Sequence, residues 1–368
     1  MKNLGISIYP ENSTLEEDIN YLKLAHENGF SRVFTSLLQV NNNDKEIINR
    51  YRSVINYANK LDFKVVIDIN PTLFKKLGIS YDDLKFFKDL GVWGLRLDEG
   101  FSGIEEAKMT RNPYHLKIEI NMSTGSHYLD NIMTYDPDTN NLLGCHNFYP
   151  QRYTGLSDEN FIKYSKIFYN YNIHSAAFVS SNNATFGPWP INEGLPTLEE
   201  DRFKRIEVQV QHLKFVNAVD DIIIGNAYAS EEELITASKA FYSNYPVLEI
   251  EFLKDITDFE KKIIEDNVHL YRGDASEYLL RDTLMRVKYH EKSIPPKKYA
   301  GRFFSEGDVL IANDDYSRYK GEVQIVKKKI ENDGRRNLIG SLTNESKKLL
   351  KYVHPWSSFI ISQVSGEK

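Results

Sequence analysis

The sequence predicts an α/β chain, with a (β/α)8 barrel over residues 1–244 followed by a smaller β-rich domain over residues 245–368. Three observations predict it. Eight short β-branched runs alternate with amphipathic helical stretches as far as Asn244, several of those stretches open on a helix cap, and the texture changes after Tyr245-Pro246. Eight βα units in about 244 residues suit a closed barrel, whereas an open doubly wound sheet usually has fewer strands. At 368 residues the chain also exceeds the size at which a single core keeps growing.

Strands are expected at LGISIYP, SRVFTSL, FKVVIDIN, VWGLRLDEG, LKIEINMS, LLGCHNFYP, IHSAAFVSS and DIIIGNA. Helix starts are expected at Ser13 with Glu16, Ser80 with Asp83, Ser102 with Glu105, Thr197 with Glu200 and Ser230 with Glu233. In each pair the hydroxyl satisfies an orphan helix N–H, and the glutamates reach back to complete a capping box. Helical spacing supports the interiors: Leu15, Ile19, Leu22 and Ala25 share one face, as do Val54, Ile55, Ala58 and Leu61. Beyond Pro246, LEIEFL, GDVLIAN, GEVQIVKKKI and RNLIGSL read as antiparallel strands, and residues 279–288 as a charged helical stretch. Asp314-Asp315 and Asn332-Asp333-Gly334 are turn signals, and Ile294-Pro295-Pro296 is a stiff connector.

Composition excludes several function classes. Forty-six basic against 52 acidic residues give a net charge of −6, which offers no footprint for nucleic acid or an anionic membrane. A single cysteine, Cys145, rules out an internal disulfide framework. With no long apolar leader at the N-terminus, it points to a reducing cytoplasm. Cys145 itself reads as a small core residue. No run approaches the roughly 18 apolar residues that span a bilayer. The nine histidines are scattered, and HExxH, paired CxxC, GxGxxG and Walker patterns are all missing, so neither a metal nor another cofactor is expected.

The chemistry is concentrated at predicted C-terminal strand ends, where barrel enzymes carry their active sites. Alternate side chains share a face of a strand, which pairs Asp68 with Asn70, Arg96 with Asp98 and Glu119 with Asn121, and His146 ends the sixth strand. Glycoside hydrolysis commonly needs one carboxylic acid to protonate the leaving oxygen and a second carboxylate, or a substrate acetamido group, at the anomeric carbon. Glu119, between Ile118 and Ile120, and Asp98 are the leading carboxylates, with Asp68 and Glu99 behind them. A carboxyl inside a strand either pairs or gains a proton, so the competing reading of Glu119 is a salt bridge with an inward base such as Arg96. For Glu99 it is an exposed helix-start acid.

The cluster HNFYPQRYTG places His146, Asn147 and Arg152 together as holders of a phosphate or carboxylate. A core histidine and a surface arginine are the alternative. FGPWPINEGLPT is stiff enough for a substrate wall or a hydrophobic plug, with Trp189 as a stacking platform and Glu193 as a further acid. Tyr9, Asn121 and Asn226, at other strand ends, are candidates for sugar hydroxyls. Arg318, beside Tyr319 in YSRYKGE, is a candidate to close the mouth.

LGISIYPE, IDINP, LRLDEGF, CHNFYPQRYTGL, FGPWPINEGLPTLE, IIIGNAYAS and GDVLIANDDYSRYKGEVQI together resemble the 6-phospho-N-acetylmuramidase (MupG) family, glycoside hydrolase family 170. The resemblance runs through nearly the whole chain in order. It implies a barrel followed by a cyclophilin-like β domain. It also implies cytoplasmic hydrolysis of N-acetylmuramic acid 6-phosphate β-1,4-N-acetylglucosamine in peptidoglycan recycling, the phosphorylated muramyl disaccharide being the partner. The family's proton donor is not carried over, so the residue roles rest on the residues themselves. A sugar-phosphate aldolase or isomerase is the competing enzyme class, though no lysine falls on the predicted inward face to form a Schiff base. A non-catalytic sugar-phosphate sensor is the third reading.

Overall fold

A computed structural model describes residues 2–38, 45–191 and 193–364. The chain divides into two compact units, Met1–Tyr242 and Ser243–Lys368. In the first unit eight parallel strands close into a barrel: β1 (Leu4–Ser7), β2 (Arg32–Ser36), β3 (Lys64–Ile69), β4 (Gly94–Leu97), β5 (Lys117–Asn121), β6 (Leu142–Cys145), β7 (His174–Val179) and β8 (Asp221–Ile224). Each lies within one of the eight runs read from the sequence. Parity divides their side chains. Leu4, Ile6, Val33, Val65, Ile67, Leu95, Ile118, Leu142, Ala177 and Ile222 face outward and form one core with helical residues such as Leu22, Val54, Ala58 and Phe161.

The inward positions are not uniform. Tyr9, Phe34, Cys145, Ala176, Phe178 and Ile223 plug one side of the barrel with apolar and aromatic groups. The β3–β5 side instead carries Asp68, Arg96 and Glu119 in lateral register. The plug excludes water while the polar side keeps charges in a low dielectric, which sets the electrostatics of the site. Gly5 belongs to this packing: a Cβ there would stand 3.2 Å from the Cβ of Arg32, the inward residue of the neighbouring strand.

Some helix caps fall where the sequence puts them and others do not. Ser230 and Glu233 bond reciprocally at the start of the helix Glu231–Tyr242. The first helix is capped one residue later than expected, by Thr14 with Glu17, because Ser13 instead bonds Asp18. Ser80 accepts from Asp82 N within a turn, and the helix starts only at Lys85. Ser102 bonds Glu105, but Gly103 is the cap. Thr197 is buried with its hydroxyl donating to the Asn147 carbonyl, followed by a single 3-10 turn rather than a helix.

The second unit is a nearly closed mixed sheet of seven strands. With β9 (Val247–Phe252), β10 (His269–Leu270), β11 (Leu279–Asp282), β12 (Phe303–Phe304), β13 (Asp308–Ala312), β14 (Val323–Val326), β15 (Ile330–Glu331), β16 (Arg336–Leu342) and β17 (Ser358–Gln363), the order is β10-β17-β9-β16-β13-β14-β11. Strands β12 and β15 form a separate pair. Residues 279–288 are helical only from Leu284. Leu279–Asp282 pairs antiparallel with β14, since its alternating burial suits a strand better than its charges suit a helix. Among the described residues no helix is long and apolar enough to cross a membrane.

Candidate active site

Asp68, Arg96 and Asp98 meet at the C-terminal end of the barrel. Asp68 and Arg96 are lateral partners on β3 and β4, and the Asp98 N–H extends the ladder by donating to the Ile69 carbonyl at 2.9 Å. One guanidinium nitrogen, Arg96 Nη1, lies 2.8 Å from Asp68 Oδ1 and 3.4 Å from Asp98 Oδ1. Its other terminal nitrogen donates to the Asn147 side-chain oxygen. These four residues, with Ser36, Phe148, Pro188 and Trp189, line one pocket.

The two carboxyls have different surroundings. The Asp68 side chain is 5% exposed and that of Asp98 38%. Burial disfavours the ionised form of Asp68 and the nearby Asp98 charge adds to it; Arg96 opposes both, yet the pKa is raised to about 7. Asp68 therefore exchanges a proton near neutral pH while lying in a pocket. That combination is what a general acid needs.

Glu119 is elsewhere. It is fully buried within the barrel, bonded through one oxygen to Arg32, whose other nitrogen lies 2.8 Å from Asp221 Oδ2. Asp221 also bonds His174 Nε2 at 2.9 Å. Burial works against the Asp221 charge, but His174 and Arg32 outweigh it and lower the pKa to about 2. The partner of Glu119 is thus Arg32, at the start of β2, rather than Arg96, and Glu119 does not line the pocket. Its charge adds to burial in pushing the thiol of Cys145 well above the ordinary range.

His146 lies on the outward face, one residue past the inward Cys145. It is fully buried between Ser123 Oγ at 3.0 Å and Ser165 Oγ at 2.9 Å, with its ring 4.6 Å from that of Phe161. Burial lowers its pKa to about 3, so it is a neutral core imidazole. The expectation that it meets an anion with Asn147 and Arg152 is corrected, because one step along a strand reverses the face.

Several other candidates spend their polar atoms on the scaffold. Tyr9 donates to the Gly225 carbonyl at 2.5 Å inside the plug. Asn70 caps the helix Pro71–Leu77 by accepting from Leu73 N at 2.8 Å. Asn226 bonds both backbone groups of Ser181. Asn121 accepts from Ser123 N at 2.8 Å while its side chain stays half-buried.

Arg152 and Glu193 pair on the surface, Nε to Oε1 3.2 Å, with the guanidinium over the Phe203 ring. Glu99 is exposed directly beside Asp98. Trp189 is 39% exposed and lines the pocket. Arg318 belongs to the second unit, where it lines a shallow surface depression with Ser293, Asp314 and Lys320. Among the described residues no group of three histidine, cysteine or acidic side chains is placed to hold a metal ion.

Sequence reasoning missed Arg32 and Ser36. Both alternate with apolar residues in SRVFTSL, so parity alone places them inward with Phe34.

Comparison with known proteins adds the family. The model described as "6-phospho-N-acetylmuramidase, N-terminal" matches residues 4–239, and its C-terminal counterpart matches residues 246–362. Among solved structures, an uncharacterized B. cereus protein is 42% identical with a TM-score of 0.89, the alignment covering 98% of this chain and 99% of that one. A conserved Enterococcus faecalis protein of unknown function is 26% identical with a TM-score of 0.72, covering 99% and 97%. No curated protein gives a significant match.

Proposed function

Because the chain belongs to the 6-phospho-N-acetylmuramidase family of glycoside hydrolases, we propose that the Asp68–Arg96–Asp98 pocket cleaves N-acetylmuramic acid 6-phosphate β-1,4-N-acetylglucosamine, in cytoplasmic recycling of peptidoglycan fragments. The observation that carries this reading is the buried carboxyl of Asp68 in the pocket, its pKa raised to about 7, beside a second and more open carboxyl on the same guanidinium.

Asp68 donates its proton to the glycosidic oxygen as the bond to the anomeric carbon breaks. Asp98 accepts a hydrogen bond from the acetamido N–H of the muramic sugar and turns the amide oxygen onto the anomeric carbon. That oxygen forms a bond as the leaving sugar departs with the Asp68 proton. Water then opens the cyclic intermediate, giving its proton to the Asp68 carboxylate and restoring the starting state. A substrate-assisted route suits the geometry. One oxygen of each carboxyl lies against the same guanidinium nitrogen, at 2.8 and 3.4 Å, which holds Asp98 beside the Asp68 proton donor where it can orient the acetamido group. Arg96 is a positioning residue that fixes both acids, and the aromatic plug keeps the dielectric low. Arg152 takes the 6-phosphate by exchanging its partner Glu193 for the ligand, a fork well suited to phosphate oxygens.

Turnover separates this reading from a sensor. Incubated with the phosphorylated disaccharide, the protein is expected to release N-acetylglucosamine and N-acetylmuramic acid 6-phosphate in equal amounts over many turnovers. Binding without release identifies a sensor.

A further inference from the structure

Arg96 holds Asp68 by one prong only. Its Nη1 lies 2.8 Å from Asp68 Oδ1, its Nη2 donates to the side-chain oxygen of Asn147, and its Nε is buried without a partner among the described residues. A guanidinium beside a carboxylate commonly closes on both oxygens with two nitrogens. Here Asp68 Oδ2 has no hydrogen-bond partner among the described residues, and the nitrogen that would complete the fork is spent on Asn147.

Asn147 is itself held firmly. Arginine has no acceptor, so the amide presents its oxygen to Nη2. Just past β6, the Asn147 backbone is clamped at both polar groups: its N–H donates to Ser123 Oγ at 2.8 Å, and its carbonyl accepts from Thr197 Oγ1 at 2.9 Å. Ser123 Oγ is in turn 3.0 Å from His146 Nδ1, and His146 Nε2 is 2.9 Å from Ser165 Oγ on the helix Asp158–Asn170. The buried, neutral His146 thereby helps to fix the direction from which Asn147 meets Arg96.

We infer that Asn147 is a positioning residue for the proton donor: by engaging Arg96 Nη2 it keeps the guanidinium single-pronged on Asp68 and leaves Oδ2 free to carry the proton. That the proton goes to a glycosidic oxygen rests on the hydrolase reading; the hold on Arg96 does not. Without the fork, burial keeps the Asp68 pKa at about 7. A second bond from the cation would stabilise the carboxylate and lower it. Other groups bear on this pair: Asp98 beyond β4, Glu119 on β5 and Tyr9 beyond β1 on Asp68, and Asp98, Cys145 on β6 and Tyr149 beyond it on Arg96. None of them is altered in the variants that follow.

Carbon-13 NMR of protein labelled at the aspartate carboxyl carbon reads the Asp68 titration without substrate, its resonance being the one missing from Asp68→Asn. Asn147→Leu removes the acceptor and keeps the side chain's bulk. An apolar neighbour by itself raises a carboxyl pKa by desolvation, whereas closing the fork lowers it, so the sign of the change separates the two. The expected result is a fall of about one unit or more, from about 7 to about 6 or below. Asn147→Ala, expected to fall likewise, takes its place if the leucine variant does not fold. Asn147→Asp keeps an oxygen on Nη2 and adds a negative charge, so its Asp68 pKa is expected at or above the wild-type value. An unchanged or raised pKa in the neutral variant, or a fall in Asn147→Asp, overturns the assignment. Turnover is scored separately. With the hydrolase reading correct, the alkaline limb of kcat/KM moves down with the pKa. The same NMR shift in a protein that never cleaves the phosphorylated disaccharide refutes that reading and leaves the hold of Asn147 on Arg96 standing.

Discussion

Asp68 and Arg96 are lateral partners with Oδ1 and Nη1 2.8 Å apart, and still the Asp68 pKa is raised to about 7. An exposed pair at that distance would hold the carboxyl ionised. Here burial, reinforced by Asp98, outweighs the guanidinium, whose charge is shared with Asp98 and with the amide of Asn147. The pair is thus arranged so that Asp68 gains and loses a proton near neutral pH rather than staying ionised.

Asp98 and Glu99 are adjacent, yet only Asp98 lines the pocket. Asp98→Asn is expected to lower kcat by roughly 10²–10³ on the phosphorylated disaccharide, and Glu99→Gln to stay within about tenfold. Initial-rate kinetics on the two purified variants decide it. A larger loss for Glu99→Gln transfers the role to the exposed acid.

Removing Glu119 is a matter of stability. Glu119→Gln leaves the Arg32 guanidinium buried with Asp221 as its remaining anion, a change that costs about 3–5 kcal/mol when a buried pair is broken. Urea unfolding is expected to show that loss, with kcat/KM within about tenfold of the wild type. A folded variant of unaltered stability with kcat reduced more than about a hundredfold would make Glu119 the acid instead.

Arg152 predicts selectivity. Arg152→Ala is expected to raise KM for the phosphorylated disaccharide by roughly ten- to a hundredfold with kcat little changed, the pattern of lost uniform binding. The unphosphorylated disaccharide is expected to show no change. An equal effect on both substrates would mean that Arg152 orders its loop through Glu193 and Phe203 rather than binding phosphate.

His212 gives the fold a pH dependence of its own. Burial alone would lower its pKa, but Asp201 Oδ1 at 2.8 Å and Asp158 Oδ2 at 3.6 Å outweigh burial and raise it to about 9. With the unfolded value near 6.5, its contribution is fully present below about pH 6.5 and is lost as pH rises through about 9. It is on the order of 3 kcal/mol. The urea midpoint is expected to fall across that window and to flatten in His212→Gln. A midpoint in that variant falling as steeply as in the wild type would exclude His212.

Much of this was legible in the residues. Strand parity alone put Asp68, Arg96 and Asp98 on one face, and eight βα units put that face inside a barrel. What parity could not resolve is register in a strand that is apolar on both faces. In LLGCHN nothing distinguishes Cys145 from His146 as the inward residue, and the histidine proved to face the helices. Nor does a strand position reveal depth along the barrel axis. Glu119 is the lateral neighbour of Arg96, yet its carboxyl meets Arg32 from the start of β2. Hydroxyl caps failed where a tertiary bond competed for the same oxygen, as at Thr197.

The measurement that bears most directly on the account is the pH profile of kcat/KM for the phosphorylated disaccharide in the wild type and in Asp68→Asn. With Asp68 as the proton donor, wild-type activity falls as pH rises through about 7, as the donor loses its proton. The folded Asp68→Asn protein is then at least roughly a hundredfold slower and lacks that alkaline limb. A variant that keeps activity within about tenfold and reproduces the same alkaline limb would contradict it.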